Sequence, residues 1–169
     1  MSGELPYRME ELTSYLNDHL AGSVGALELL DRLIEAHKER PMGKFFEGLR
    51  SEIQADQEEL KGLLLKLGIE ESTVRKAGAW IVEKLSRSKI ELEGDPEEAS
   101  AGLFLALEAL VLGITGKRSL WRALHAASRS VPELARLDYS GLEKRAIEQC
   151  ERVEAKRLEL ARSVFQARE

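Results

Sequence analysis

The stretch EIQADQEELKGLLLKLG, Glu52–Gly68, decides the fold. Ile53, Leu60, Leu63 and Leu67 recur at helical spacing, and Gly68 stands where a helix C-terminal glycine belongs. Phe45 and Leu49 carry the same face back to Pro41, which suits a first helical turn. On a wheel of about 100° per residue, Asp56 falls between Leu49, Leu60 and Leu63, with Glu52 at the edge of the face. A carboxylate in that position needs a partner, because an isolated buried charge is very costly.

Three more long helices are expected around this one. The first runs from about Pro6 to Lys38, with Leu12, Leu16, Leu20, Leu27, Leu30 and Ile34 on one stripe. The third opens in ELEGDPEE, where Asp95, Pro96 and Glu98 have the spacing of a capping box, and reaches about Ser128. It is apolar on nearly every side, through Leu103, Leu105, Leu107, Leu110, Leu112 and Ile114, as in a largely buried helix. The fourth spans about Leu142 to Gln166, with Ser140 and Glu143 again spaced as a capping box. A shorter amphipathic element from Ser72 to about Ser86, capped by Ser72, lies between the second and third. β-Branched residues never alternate, so no strand is expected. Short outer connections and a longer middle one describe an all-α, single-domain four-helix bundle spanning residues 1–169, with its second and third helices parallel.

Composition narrows the functional classes. The 169 residues are 43% hydrophobic and 33% charged, with a net charge of -5 spread along the chain. No basic block offers a footprint for nucleic acid. Cys150 is the sole cysteine, which excludes an internal disulfide and fits a reducing compartment. The opening MSGELPYRMEELTSYLNDHL has acids where a signal peptide needs a basic region and an apolar core. The apolar run AGLFLALEALVLGITG, Ala101–Gly116, is 16 residues long and holds Glu108, short for a bilayer span. A soluble cytoplasmic protein is expected, without membrane or nucleic-acid partners.

Four polar side chains point inward at mid-helix: Ser23, Asp56, Glu154 and Arg157. Arginine does not lose its proton in proteins. The economical arrangement is a buried Asp56–Arg157 ion pair, with Glu154 or Ser23 taking up the remaining hydrogen bonds.

This pattern resembles the ferritin-like bundles, including the bacterioferritins and their small relatives. YLNDHLAGSVGALELL is similar to that family's first helix, whose mid-helix metal-binding glutamate falls on Ser23. The family's second helix carries Glu-x-x-His before an L…LG ending. Here the ending is present, but Ile53 and Asp56 take the two ligand positions. A register one residue different places Glu52 and Ala55 there. Glu108 is the one acid near the third-helix ligand position, and the wheel turns it sideways. The fourth helix offers Glu154-x-x-Arg157 in VEAKRLELA. A dinuclear iron or manganese centre needs about six converging carboxylate and imidazole ligands. An arginine in that centre would repel the metal. The resemblance therefore implies the fold with a degenerate metal site.

Other constellations carry less. His19 and His37 lie roughly 27 Å apart along one helix, and His125 belongs to another, so no ligand set forms. GITGKRS, Gly113–Ser119, lacks the glycine spacing and preceding strand of a phosphate loop. Cys150 reads as a core thiol, and Trp80 and Trp121 as packing or dimer-contact residues. The expected function is non-catalytic, through self-association into a homo-oligomer, a dimer, or through partner binding, with no cofactor. The alternative is an iron- or manganese-dependent oxidase or storage protein using Glu52, Asp56, Glu108 and Glu154. A third is a small-molecule pocket where the metal would have been.

Overall fold

A computed structural model describes residues 4–71, 92 and 96–166. Four long helices are present among them: α1 (Glu4–Ala36), α2 (Pro41–Lys66), α3 (Pro96–Ala127) and α4 (Tyr139–Val164). The described residues hold no strand. The expected short element at Ser72–Ser86, the Asp95–Glu98 capping box and Trp80 lie outside the described residues.

Local chemistry sets the ends. Between α1 and α2 the chain reverses at Glu39, whose φ of 62° places a non-glycine residue in the left-handed region. Arg40 is extended, as a residue before proline must be, and Pro41 opens α2. At the other end Gly68 adopts a φ of 68°. The Ile69 N–H then donates to Leu64 O at 2.9 Å and the Gly68 N–H to Leu65 O at 3.1 Å, a Schellman closure. Ile69 packs back against the core beside Leu67. The α4 start differs from expectation. Asp138, not Ser140, is the N-cap, and its carboxylate accepts from the Gly141 N–H at 3.0 Å. Asp138 has the better-placed acceptor, which leaves Ser140 inside the first turn. A short 3-10 turn at Pro132–Leu134 precedes it, and the Tyr139 hydroxyl donates to Leu134 O at 2.5 Å.

Cross-helix contacts give three antiparallel neighbours. Along α1 and α2, Ser23 meets Gln57, Asp31 meets Arg50, and His37 meets Phe46. Along α3 and α4, Phe104 meets Phe165, Glu108 meets Arg157, Lys117 meets Gln149, and Arg122 meets Glu143. Along α2 and α4, Glu52 meets Arg152, and Asp56 meets Gln149 and Arg145.

The apolar core forms two clusters. One holds Leu27–Leu33 of α1, Phe46–Ile53 of α2, Leu103–Ile114 of α3 and Val153 of α4 among its buried members. The other gathers Leu16, Leu20, Leu60, Leu63, Trp121 and Leu142 toward the opposite end. Each fully buried leucine contributes about 1.5–3 kcal/mol. On every helix a polar residue sits between the two clusters: Ser23, then Asp56 with Gln57, then Lys117, then Arg145.

Helix α3 differs from its expected burial. From Ala99 to Ala127 it is long and apolar enough to cross a membrane by length and composition alone, yet about a third of it is buried. Leu105 and Leu112 are exposed. Its other face supplies both core clusters and the ion pairs to α4, as a bundle helix does.

Candidate functional site

The polar layer between the clusters is the chemically distinctive part of the molecule. Asp56 is 1% exposed. Its Oδ2 accepts from Lys117 Nζ at 2.5 Å and from Gln149 Nε2 at 3.2 Å. Its Oδ1 is ion-paired with the Arg145 guanidinium. Lys117 also donates to Gln149 Oε1 at 2.5 Å. One carboxylate from α2 thus holds a cation from α3, a cation from α4 and a carboxamide from α4. Beside it, Gln57 Nε2 donates to Ser23 Oγ at 2.8 Å, which in turn donates to Leu20 O, tying α1 to the same level. Burial pushes the Lys117 ammonium below its ordinary pKa, and the neighbouring Asp56 carboxylate opposes that fall.

The expected Asp56–Arg157 pair does not form. Arg157 makes a two-pronged pair with Glu154, at 2.7 Å for each bond, and reaches Glu108 at 3.1 Å. Its guanidinium also lies over the Phe104 ring, 5.4 Å from the centroid. The physical reason is axial: Arg157 lies two turns beyond Gln149, level with Glu108 rather than with Asp56. The charge that meets Asp56 comes instead from Lys117. That residue lies three after Ile114 and four before Trp121, on the buried stripe of α3. Gln149 likewise continues the buried line Leu142, Ala146, Val153 of α4. Both signals were in the sequence, as interruptions of an otherwise apolar 3–4 spacing.

The remaining expected residues separate into distinct places. Ile53 and Asp56 face inward while Ala55 is exposed, so of the two registers weighed for α2 the first points to the core. Glu52 is half-buried at the α2–α4 seam, 2.5 Å from Arg152. Burial raises the Glu52 pKa, but hydrogen bonds from Arg152 and Gln149 outweigh it and hold the carboxyl below the usual range. The Glu108 side chain is 47% exposed and shares Arg157 with Glu154. Among the described residues no three of His, Cys, Asp and Glu converge as metal ligands. The donor chemistry argues the same way: every acid in question already neutralises an arginine or lysine. These residues do not fit a dinuclear iron or manganese centre.

An elongated cavity of about 520 Å³ adjoins the ion cluster, between α1 and α3 with α2 as its floor. Gly22 and Gly113 line it, and a Cβ at either would meet no neighbouring atom. Leu29, Leu105, Ala109 and Leu112 line one end. His19, Ser23, Asp56, Gln57, Lys117 and Trp121 line the other. Trp121 is 1% exposed, and its indole N–H has no acceptor among the described residues. His19 is held below its ordinary pKa by burial, with Asp18 opposing the shift, so the neutral ring prevails near pH 7.

No family model, no curated protein and no solved structure gives a significant match to this chain.

The other singled-out residues have structural surroundings. His37 Nδ1 lies 2.8 Å from Leu33 O at the end of α1, and His125 stacks on Tyr139 at 5.9 Å. Cys150 is partly buried with Thr115 Oγ1 3.8 Å from its sulfur.

Proposed function

We propose that this chain is a non-catalytic, ferritin-like bundle in which an ion cluster stands in place of a metal centre, and that it holds a small, largely apolar ligand between α1 and α3. The three antiparallel contacts support an up-down-down-up order, the topology of ferritin-like folds. Lys117 supplies, beside Asp56, the fixed positive charge that a metal would otherwise bring. The observation that carries the binding reading is the cavity of about 520 Å³. Its size is within the range of small-molecule sites, and an apolar wall with a few polar groups at one end is their usual make-up.

Titration with the neutral dye N-phenyl-1-naphthylamine tests this. Saturable fluorescence enhancement at one dye per chain is expected. The variant Gly22→Leu/Gly113→Leu, which places side chains in the open space, should bind the dye at least tenfold more weakly while keeping its helical content. Absent or non-saturating enhancement in the native protein contradicts the binding reading.

A second reading has its own observation. Leu112 is 67% exposed on the same face, and an exposed apolar face of this kind suits contact with a second copy. Size-exclusion chromatography with light scattering at micromolar concentration should then give a dimer that Leu112→Glu converts to monomer. A native monomer removes this reading without touching the first.

A further inference from the structure

The cavity is polar at one end and apolar at the other. Along α3 its lining runs from Leu105 to Trp121, a rise of about 24 Å for 16 residues. That shape favours an extended molecule over a compact one, and the polarity gradient favours a single head group.

The sign of that head follows from the charges at the polar end. Lys117 and Asp56 line that end, and Arg145 pairs with Asp56 from α4, outside the lining. Asp56 Oδ2 accepts from Lys117 and Gln149, and Oδ1 is ion-paired with Arg145 without a hydrogen bond among the described residues. An ammonium has three donors, and Lys117 spends two, on Asp56 and Gln149. Trp121 lies one helical turn along the same face and brings a buried indole N–H without an acceptor among the described residues. Two spare donors, one of them on a cation, beside an apolar channel call for an anionic acceptor. An amine head would meet the Lys117 ammonium and an N–H with no acceptor to offer them, and an alcohol would form no charge-assisted bond of the same strength. The remaining acid of the cavity, Glu108, lies toward the apolar end and is paired with Arg157.

We infer that the ligand is an elongated monocarboxylate, its carboxylate at Lys117 and Trp121 and its hydrocarbon chain running past Leu112 and Ala109 toward Leu29. This rests on the cavity being a ligand site.

The test displaces N-phenyl-1-naphthylamine with dodecanoate, dodecanol and dodecylamine, each below its micellar concentration and at mildly alkaline pH. Dodecanoate should bind about tenfold more tightly than dodecanol, as a charge-assisted hydrogen bond allows, and dodecylamine most weakly. Lys117→Met should abolish the preference for the acid over the alcohol. Trp121→Phe, which removes the indole N–H but keeps an aromatic ring and the Asp56 cluster, should reduce it several-fold without weakening dodecanol. Equal binding of acid and alcohol, or preference for the amine, overturns the carboxylate assignment while dye binding keeps the cavity reading. Failure of the dye and all three amphiphiles to bind overturns both.

Discussion

The Lys117 ammonium lies 2.5 Å from Asp56 Oδ2, joining α3 to α2 at the level where the two apolar clusters meet. The lysine side chain is 14% exposed and the aspartate 1%. Water therefore screens the pair little. Taking two charges out of water costs several kcal/mol each, and the pair repays that cost only with added hydrogen bonds. Gln149 supplies them and Arg145 adds a second ion pair, which makes the cluster one unit rather than a single contact.

Breaking that unit from both sides should cost less than the two single breaks added together. Asp56→Asn should lower stability by about 3–5 kcal/mol, since it removes the carboxylate shared by Lys117 and Arg145, and Lys117→Met by less, about 1–3 kcal/mol, since Arg145 still pairs with Asp56. The double variant should cost less than the sum, with a coupling of about 1–3 kcal/mol. Urea unfolding of the four proteins checks this. Additive losses would show that the two groups do not depend on each other.

The glycines divide by what surrounds them. Gly22 and Gly113 are helical and face open space, so Gly22→Ala and Gly113→Ala should each raise stability by about 0.5–1 kcal/mol. Gly43 is buried where α2 passes the end of α1, and a Cβ there would press on the His37 carbonyl. Gly43→Ala should destabilise by about 1–3 kcal/mol. Thermal melts of the three variants give the sign directly.

His19 gives the fold a mild acid sensitivity. Its folded pKa lies below the ordinary 6.5 because of burial, with Asp18 opposing and Tyr15 stacked edge-on at 4.7 Å. Above pH 6.5 the ring is neutral in both states and contributes nothing. As the pH falls through 6.5 the unfolded chain takes up the proton first, so stability falls until the folded ring also titrates. Unfolding midpoints measured between pH 7.5 and 5 should drop for the native protein and drop less for His19→Gln.

Glu52 acts at lower pH with a related sign. Arg152 and Gln149 hold its folded pKa below 4.5. The stabilisation is present above that value and is lost as the pH falls through the folded pKa. Glu52→Gln should therefore flatten part of the acid limb of a stability–pH curve while changing little at neutral pH.

Much of the fold was legible because it rests on local chemistry. Pro41 and Gly68 mark both ends of α2, and the leucine spacing of α1 and α2 gives their buried faces. Asp56 was recognisable as an interior acid for the same reason. Its partner was not, because wheel positions fix the angle of a side chain but not its height along the bundle. Arg157 falls on the inner face of the wheel, yet its guanidinium lies at the outer α3–α4 seam, level with Glu108, while Lys117 lies level with Asp56. Lys117 lies in GITGKRS, a polar-looking segment whose lysine nonetheless continues the buried stripe from Ile114 to Trp121. The cavity was illegible for a different reason. It arises where Gly22 of α1 and Gly113 of α3, far apart in sequence, both leave open space.

Elemental analysis most directly tests whether the interior cluster stands in for a metal centre. The protein is purified without chelators, exposed anaerobically to excess iron(II) or to manganese(II), desalted and measured. Far less than one ion per chain is expected, with Glu154→Ala no different from the native protein. One or two tightly held ions per chain, lost on replacing Glu154 or Asp56, would contradict the ion-cluster reading.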